Sequence, residues 1–87
     1  MPVTWRQMPP LAALRAFEAT ARLKSFSAAA RELNVTHAAV AQQVRALEAF
    51  LETTLVTRDG RALALTAEGA DLALALLEGF HRIQVGV

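Results

Sequence analysis

The chain has 87 residues, enough for one domain near the size at which a single hydrophobic core just suffices. It contains no cysteine, which excludes a disulfide framework and a thiolate metal site, and its net charge of +1 singles out no class of partner. The opening "MPVTWRQMPP" lacks the apolar stretch of a signal peptide, and the longest apolar run, residues 72–77, is far short of a membrane span, so a soluble cytoplasmic protein is expected.

The charges are unevenly spread. Up to Thr66 the chain carries Arg6, Arg15, Arg22, Lys24, Arg31, Arg45, Arg58 and Arg61 against Glu18, Glu32, Glu48, Glu52 and Asp59, a balance of +3. From Ala67 onward Arg82 stands against Glu68, Asp71 and Glu78, a balance of −2. A front half of this sign is consistent with a polyanionic partner.

In chain order, Pro9-Pro10 stops anything earlier from being helical and suits a helix start. Leu11, Leu14, Phe17 and Ala21 recur at helical spacing, which predicts an amphipathic helix over residues 10–23. Lys24-Ser25-Phe26 breaks it, and Ser27 is the expected N-cap of a helix of about two turns ending near Leu33. Asn34 tolerates a left-handed turn, and Thr36 is the N-cap of a third helix running to about Leu51. On that helix Val40, Val44, Leu47 and Leu51 share a narrow arc. Ala38, Ala41, Gln42 and Arg45 are expected on the opposite, exposed arc, with His37 at its N-terminal edge.

Two short runs then flank Asp59-Gly60, a dipeptide that two-residue hairpin turns favour. A turn centred there would set Val56 opposite Leu63 and hold Arg58 and Arg61 together at the tip. Thr66 caps a last helix, over which Leu72, Leu76, Phe80 and Ile83 share one arc for packing onto the domain or a partner. Leu74 and Leu77 lie off that arc, with Ala70 beside them. A helix apolar on two sides cannot satisfy both within so small a monomer, so this one is expected to dimerise.

Two helices joined by three or four residues, the second presenting small and polar side chains, form a helix-turn-helix. The second helix must enter a major groove about 12 Å wide, so its leading face needs small residues for close approach. Ala38 and Ala41 would give clearance and meet thymine methyls, Gln42 can pair with adenine, and His37 and Arg45 can reach base edges or phosphates. The free N–H groups near Ser27 and Thr36 suit phosphate oxygens. A hairpin tip with two arginines is a natural wing for backbone or minor groove. The expected fold is therefore mainly α: a winged helix-turn-helix with a three-helix core, a β-hairpin wing and a long C-terminal helix. The segments are a tail over 1–8, the DNA-binding unit over 9–66 and the dimerisation helix over 67–87.

The stretches "LRAFEA", "SFSAAARELNVT", "QQVRALE" and "LALTAEG" occur in this order. Through them the chain resembles the N-terminal DNA-binding domain of LysR-type transcriptional regulators over roughly residues 9–85, and its opening resembles the branch that includes the glycine-cleavage activator. The resemblance implies DNA contacts at positions 36, 37, 38, 41, 42 and 45, with Ser27 and Arg58 on the backbone. It also implies antiparallel pairing of the last helices into a homodimer on an interrupted dyad operator. The family most often has Gln, Ser and Arg where this chain has His37, Ala41 and Gln42, and Leu-Gly-x-x-Leu-Phe where it has Leu51-Glu52-Thr53-Thr54-Leu55-Val56. Two DNA donors are thereby missing, which implies a weaker or different site. Family members continue into an effector-sensing domain, and no effector site is expected within these residues.

Catalysis is not expected: two His, no Cys and no Tyr leave no plausible constellation. No cofactor or metal is expected either, since His37 and His81 are far apart and neither has a carboxylate cluster beside it. The rival reading is a helical interaction module that heterodimerises with a full-length regulator and antagonises it.

Overall fold

The computed structural model describes residues 2–87. After a single 3-10 turn at Trp5–Gln7, α1 spans Leu11–Leu23, α2 Phe26–Leu33 and α3 His37–Leu51. Strands β1 (Val56–Asp59) and β2 (Ala62–Leu65) form an antiparallel hairpin, and α4 runs from Ala67–Gly86. The 3-10 turn corrects the expectation that nothing before Pro9-Pro10 is helical. One turn costs little, because it ends at Met8, before the prolines are reached.

Each break between helices is built from local chemistry. Helix α1 stops where Lys24 turns left-handed (φ 54°). Ser25, not Ser27, then caps α2, its hydroxyl accepting from the Ala28 N–H at 3.0 Å. Both serines have the right side chain, but only Ser25 sits on the extended backbone beside the left-handed Lys24. Asn34 (φ 59°) ends α2 in a Schellman motif, with Val35 N–H donating to Ala30 O at 3.0 Å and Asn34 N–H to Arg31 O at 3.4 Å. The Thr36 hydroxyl accepts from Ala39 N–H at 3.0 Å and starts α3 two residues later.

The core lies where α1 crosses α2 and α3. Phe17, Val40, Val44, Leu47 and Leu55 are buried, among Ala13, Ala16, Ala19, Ala29 and Ala30, which are small enough to let the helix backbones approach closely. Arg22 joins α1 to α2 at the surface, its Nε donating to Glu18 at 2.8 Å and its guanidinium also pairing with Glu32.

The wing is out of the expected register. Val56 pairs with Leu65 and Arg58 with Leu63, so Gly60-Arg61, and not Asp59-Gly60, forms the two-residue turn. Only Gly60 there has positive φ (67°), whereas a turn centred on Asp59-Gly60 of the type I′ form needs two. This register pairs Val56 with Leu65, both of which pack on the core. Its root is fixed by Glu48 of α3, whose Oε2 accepts from Leu55 N–H at 2.8 Å and Val56 N–H at 3.2 Å.

Helix α4 starts under the wing. Thr66 accepts from Gly69 N–H at 3.0 Å and donates to Thr54 O at 2.7 Å. Gly69 lies so close to the Leu55 backbone that a Cβ there would stand 2.1 Å from the Leu55 carbonyl oxygen. Leu76 is buried and Leu72 and Phe80 are half-buried on the core, as their arc predicts. Ile83, farther along the same arc, is 63 % exposed. A helix of 20 residues is about 30 Å long, so its last turns run past the core. Leu74 and Leu77 face solvent as expected.

Candidate nucleic-acid interface

The first turn of α3, the first turn of α2 and the wing meet on one side of the molecule. Lys24, Ser25, Phe26, Ser27, His37, Arg58 and Arg61 line a hollow of about 320 Å³ between them. Three cations and no carboxylate border this hollow, which gives it an anion-attracting character. Ser27, His37, Arg58 and Arg61 were expected from sequence and are brought together here. In the sequence Lys24 marks only a helix break. It joins the cationic rim because the left-handed turn swings the chain there, a placement with no signal in residue type alone.

Along α3 the side chains of Ala38, Gln42 and Arg45 are exposed, and the Thr36 hydroxyl is occupied by its capping bond. Ala41 is a correction, since it is 9 % exposed and faces inward. At about 100° per residue it lies only about 60° around the helix from Val44, within the flank that packs on the core. Its methyl is therefore withdrawn from the leading face. His37 is tied to Ser27, with Oγ and Nδ1 3.0 Å apart, so the two helix starts are linked directly.

Glu48 is a residue that sequence reasoning missed. By accepting two backbone N–H groups from the wing root it joins the last turns of α3 to β1. The arrangement holds a recognition helix and a wing in fixed mutual orientation. Among the described residues no group of three His, Cys, Asp or Glu is placed to hold a metal ion, and no helix is long and apolar enough to cross a membrane.

Three helices in this order, with a tight α2–α3 turn and a hairpin after α3, define a winged helix-turn-helix. The family model for the bacterial regulatory helix-turn-helix proteins of the lysR family matches residues 11–70, and the chain belongs to that family. It is 66 % identical over 82 residues to the AhcY transcriptional activator HvrB of Rhodobacter capsulatus, covering 94 % of this chain and 28 % of that protein. It is 47 % identical over 78 residues to the glycine cleavage system transcriptional activator of Escherichia coli K12, covering 90 % of this chain and 26 % of that one. The chain thus spans about a quarter of the length of these curated relatives. Among solved structures, the BenM DNA-binding domain in complex with catB site 1 DNA superposes with a TM-score of 0.81 at 27 % identity, covering 86 % of this chain and 83 % of that one. The CbnR DNA-binding domain in its DNA complex gives 0.78 at 28 %, covering 88 % of each.

The structure also accounts for one departure from the family pattern. Glu52 stands where the pattern has Gly, and its φ is 52°. A left-handed residue closes α3 there in a second Schellman motif, with Thr53 N–H donating to Glu48 O at 3.1 Å. Glycine takes that conformation without cost, and glutamate does not.

Proposed function

We propose that the chain binds double-stranded DNA in a sequence-specific manner as the DNA-binding part of a cytoplasmic LysR-type transcriptional regulator. Helix α3 enters the major groove, Ala38 gives clearance, Gln42 and His37 read base edges, and Arg45 holds a phosphate or base. The starts of α2 and α3 grip the backbone, and Arg58 and Arg61 of the wing reach phosphate or an adjacent minor groove. The observation that carries this reading is the single cationic hollow formed jointly by α2, α3 and the wing. The relatives' names, as activators, and the DNA complexes of BenM and CbnR support it.

The functional unit is a homodimer paired through α4. Leu74 and Leu77 are exposed on it, and Ile83 extends the apolar surface beyond the core. Pairing would set two recognition helices on one side of the duplex, with half-sites about 34 Å apart or a multiple of it. Nothing favours the rival antagonist module, which would show no salt-dependent DNA binding of its own.

Selection of bound DNA from a random pool, followed by sedimentation equilibrium, tests the proposal. The expected outcome is an interrupted dyad bound by a dimer. Leu77→Glu should then give a monomer that loses the dyad but keeps a weak half-site. A wild-type monomer at micromolar concentration overturns the dimer, and the absence of any selected sequence overturns specific binding.

A further inference from the structure

Nδ1 of His37 is engaged by Ser27 Oγ at 3.0 Å, and the Phe26 ring packs against the imidazole with centroids 5.6 Å apart and planes inclined by 52°. The ring is thus held from two sides. Nε2, on its opposite edge, is the nitrogen left for DNA. Which base it can read depends on whether it carries a proton.

Ser27 decides this. Its hydroxyl has one proton to give. Ser27 is the second residue of α2, exposed, beside Lys24 and Arg58, where the free N–H groups of a helix start suit a phosphate oxygen. A phosphate oxygen only accepts. Once the Ser27 O–H donates to it, Oγ can only accept from the imidazole, so Nδ1 must carry the ring proton. In the neutral ring Nε2 is then a bare acceptor. In the major groove a bare acceptor meets the N6 amino group of adenine or the N4 amino group of cytosine, and is repelled by N7 and O6 of guanine.

We infer that Ser27 is a positioning residue which, with its proton on a phosphate, holds His37 in the Nδ1–H tautomer, so that Nε2 reads an exocyclic amino group at one base step. The family's usual glutamine at this position both donates and accepts, whereas this histidine reads with one sign only. The inference rests on the DNA-binding reading above.

Long-range proton–nitrogen correlation on protein carrying 15N-histidine tests it, at pH about 8.5, above histidine's ordinary titration range. His81 on α4 serves as internal reference, and His37→Gln assigns the second set of signals. Bound to its selected duplex, the wild type should show the Nδ1–H pattern at His37. One position of that duplex should prefer adenine or cytosine over guanine by about five-fold or more. Ser27→Ala should lose both the pattern and the preference, while affinity at other positions falls uniformly. Ser27→Thr, which keeps the hydroxyl, should restore both. Because Ser25 and not Ser27 caps α2, these variants should fold, and unchanged His81 signals would verify it. An Nε2–H or doubly protonated His37 in the bound wild type, or a preference that survives Ser27→Ala, overturns the inference while leaving DNA binding intact. Failure to bind any duplex overturns both.

Discussion

Helices α3 and α4 are both long, both capped by threonine and both rich in alanine and leucine, yet they meet the rest of the molecule in opposite ways. On α3, with 15 residues, the apolar arc of Val40, Val44 and Leu47 is wholly buried, and apart from Phe50 and the half-buried Leu51 in its last turn what remains outside is small, polar or cationic. On α4, with 20 residues, only Gly69 and Leu76 are fully buried. Its last turns overhang the core, and its exposed side chains include Leu74, Leu77, Ile83 and Val85. The first helix has spent most of its apolar surface on its own domain, Phe50 excepted, and presents small, polar and cationic side chains along its first turns. The second leaves large apolar side chains uncovered by the described residues.

Helix α4 depends most on its close approach to the Leu55 backbone at Gly69. If α4 is held by its first turn, adding a methyl at Gly69 must drive it off the Leu55 backbone. Gly69→Ala is therefore expected to destabilise by about 3 kcal/mol or more in denaturant unfolding. Gly79→Ala, on the same helix but with open space around it, should stabilise by about 0.5–1 kcal/mol. Equal effects at the two glycines would mean that α4 is not anchored as described.

On the α3 side, Gln42→Ala should cost about 1–3 kcal/mol on the preferred site and relax specificity at one base step. Arg58→Ala should instead weaken all sequences alike and lower the salt slope by about one unit. A uniform loss for Gln42→Ala would reassign that residue to phosphate. An unchanged slope for Arg58→Ala would place the wing arginine away from DNA.

A smaller effect is expected where α3 ends. Glu52→Gly removes the left-handed penalty at φ 52° and should raise stability by about 0.5–1 kcal/mol, read as a higher melting temperature with unchanged DNA affinity. A loss of stability would mean that the glutamate side chain contributes something the closing turn does not need.

The smallest effect concerns pH. The Arg22 guanidinium holds the Glu32 carboxyl below its ordinary value of about 4.5. A carboxyl depressed by folding contributes stability that is complete above its unfolded value and lost as pH falls through the lower folded one. The contribution should therefore fade only below about pH 4.5, and Glu32→Gln should flatten that part of the stability–pH curve. The pair is exposed, so a large change would contradict its surface position.

Much of this was legible in the sequence, for reasons that can be assigned. Asn34 and Thr36 were readable because each makes its own break: a left-handed closure and a hydroxyl that accepts three residues on. The arc of α3 and the two exposed leucines of α4 followed from periodicity. Ser27 was mistaken for the cap because two serines stood two residues apart, and the choice was made by the backbone of Lys24. The wing register slipped because Asp59-Gly60 and Gly60-Arg61 are both acceptable turns locally. Glu48 and the packing of Val56 and Leu65, all distant from the tip, favour the second. Ala41 was misplaced because it lies on the flank of α3, where a small rotation moves a residue from groove to core. For Ile83 the arc leaves packing on the domain or on a partner open, because a periodic pattern does not say where the neighbouring structure ends.

Trp5 is the chain's single tryptophan, and there is no tyrosine. It lines an apolar hollow of about 550 Å³ with Met8, Leu11, Leu76, Phe80 and Ile83, at the overhanging end of α4, and the α2–α3–wing hollow has neither residue. Intrinsic indole emission is therefore a built-in reporter of the apolar end alone. Trp5 is 78 % exposed in the single chain, so titrating DNA should leave its colour nearly constant, whereas a molecule seated over this end should shift it toward the blue as the indole surroundings become drier. One optical signal can thus follow what covers this end while DNA is present, without a label and without interference from the groove-binding surface.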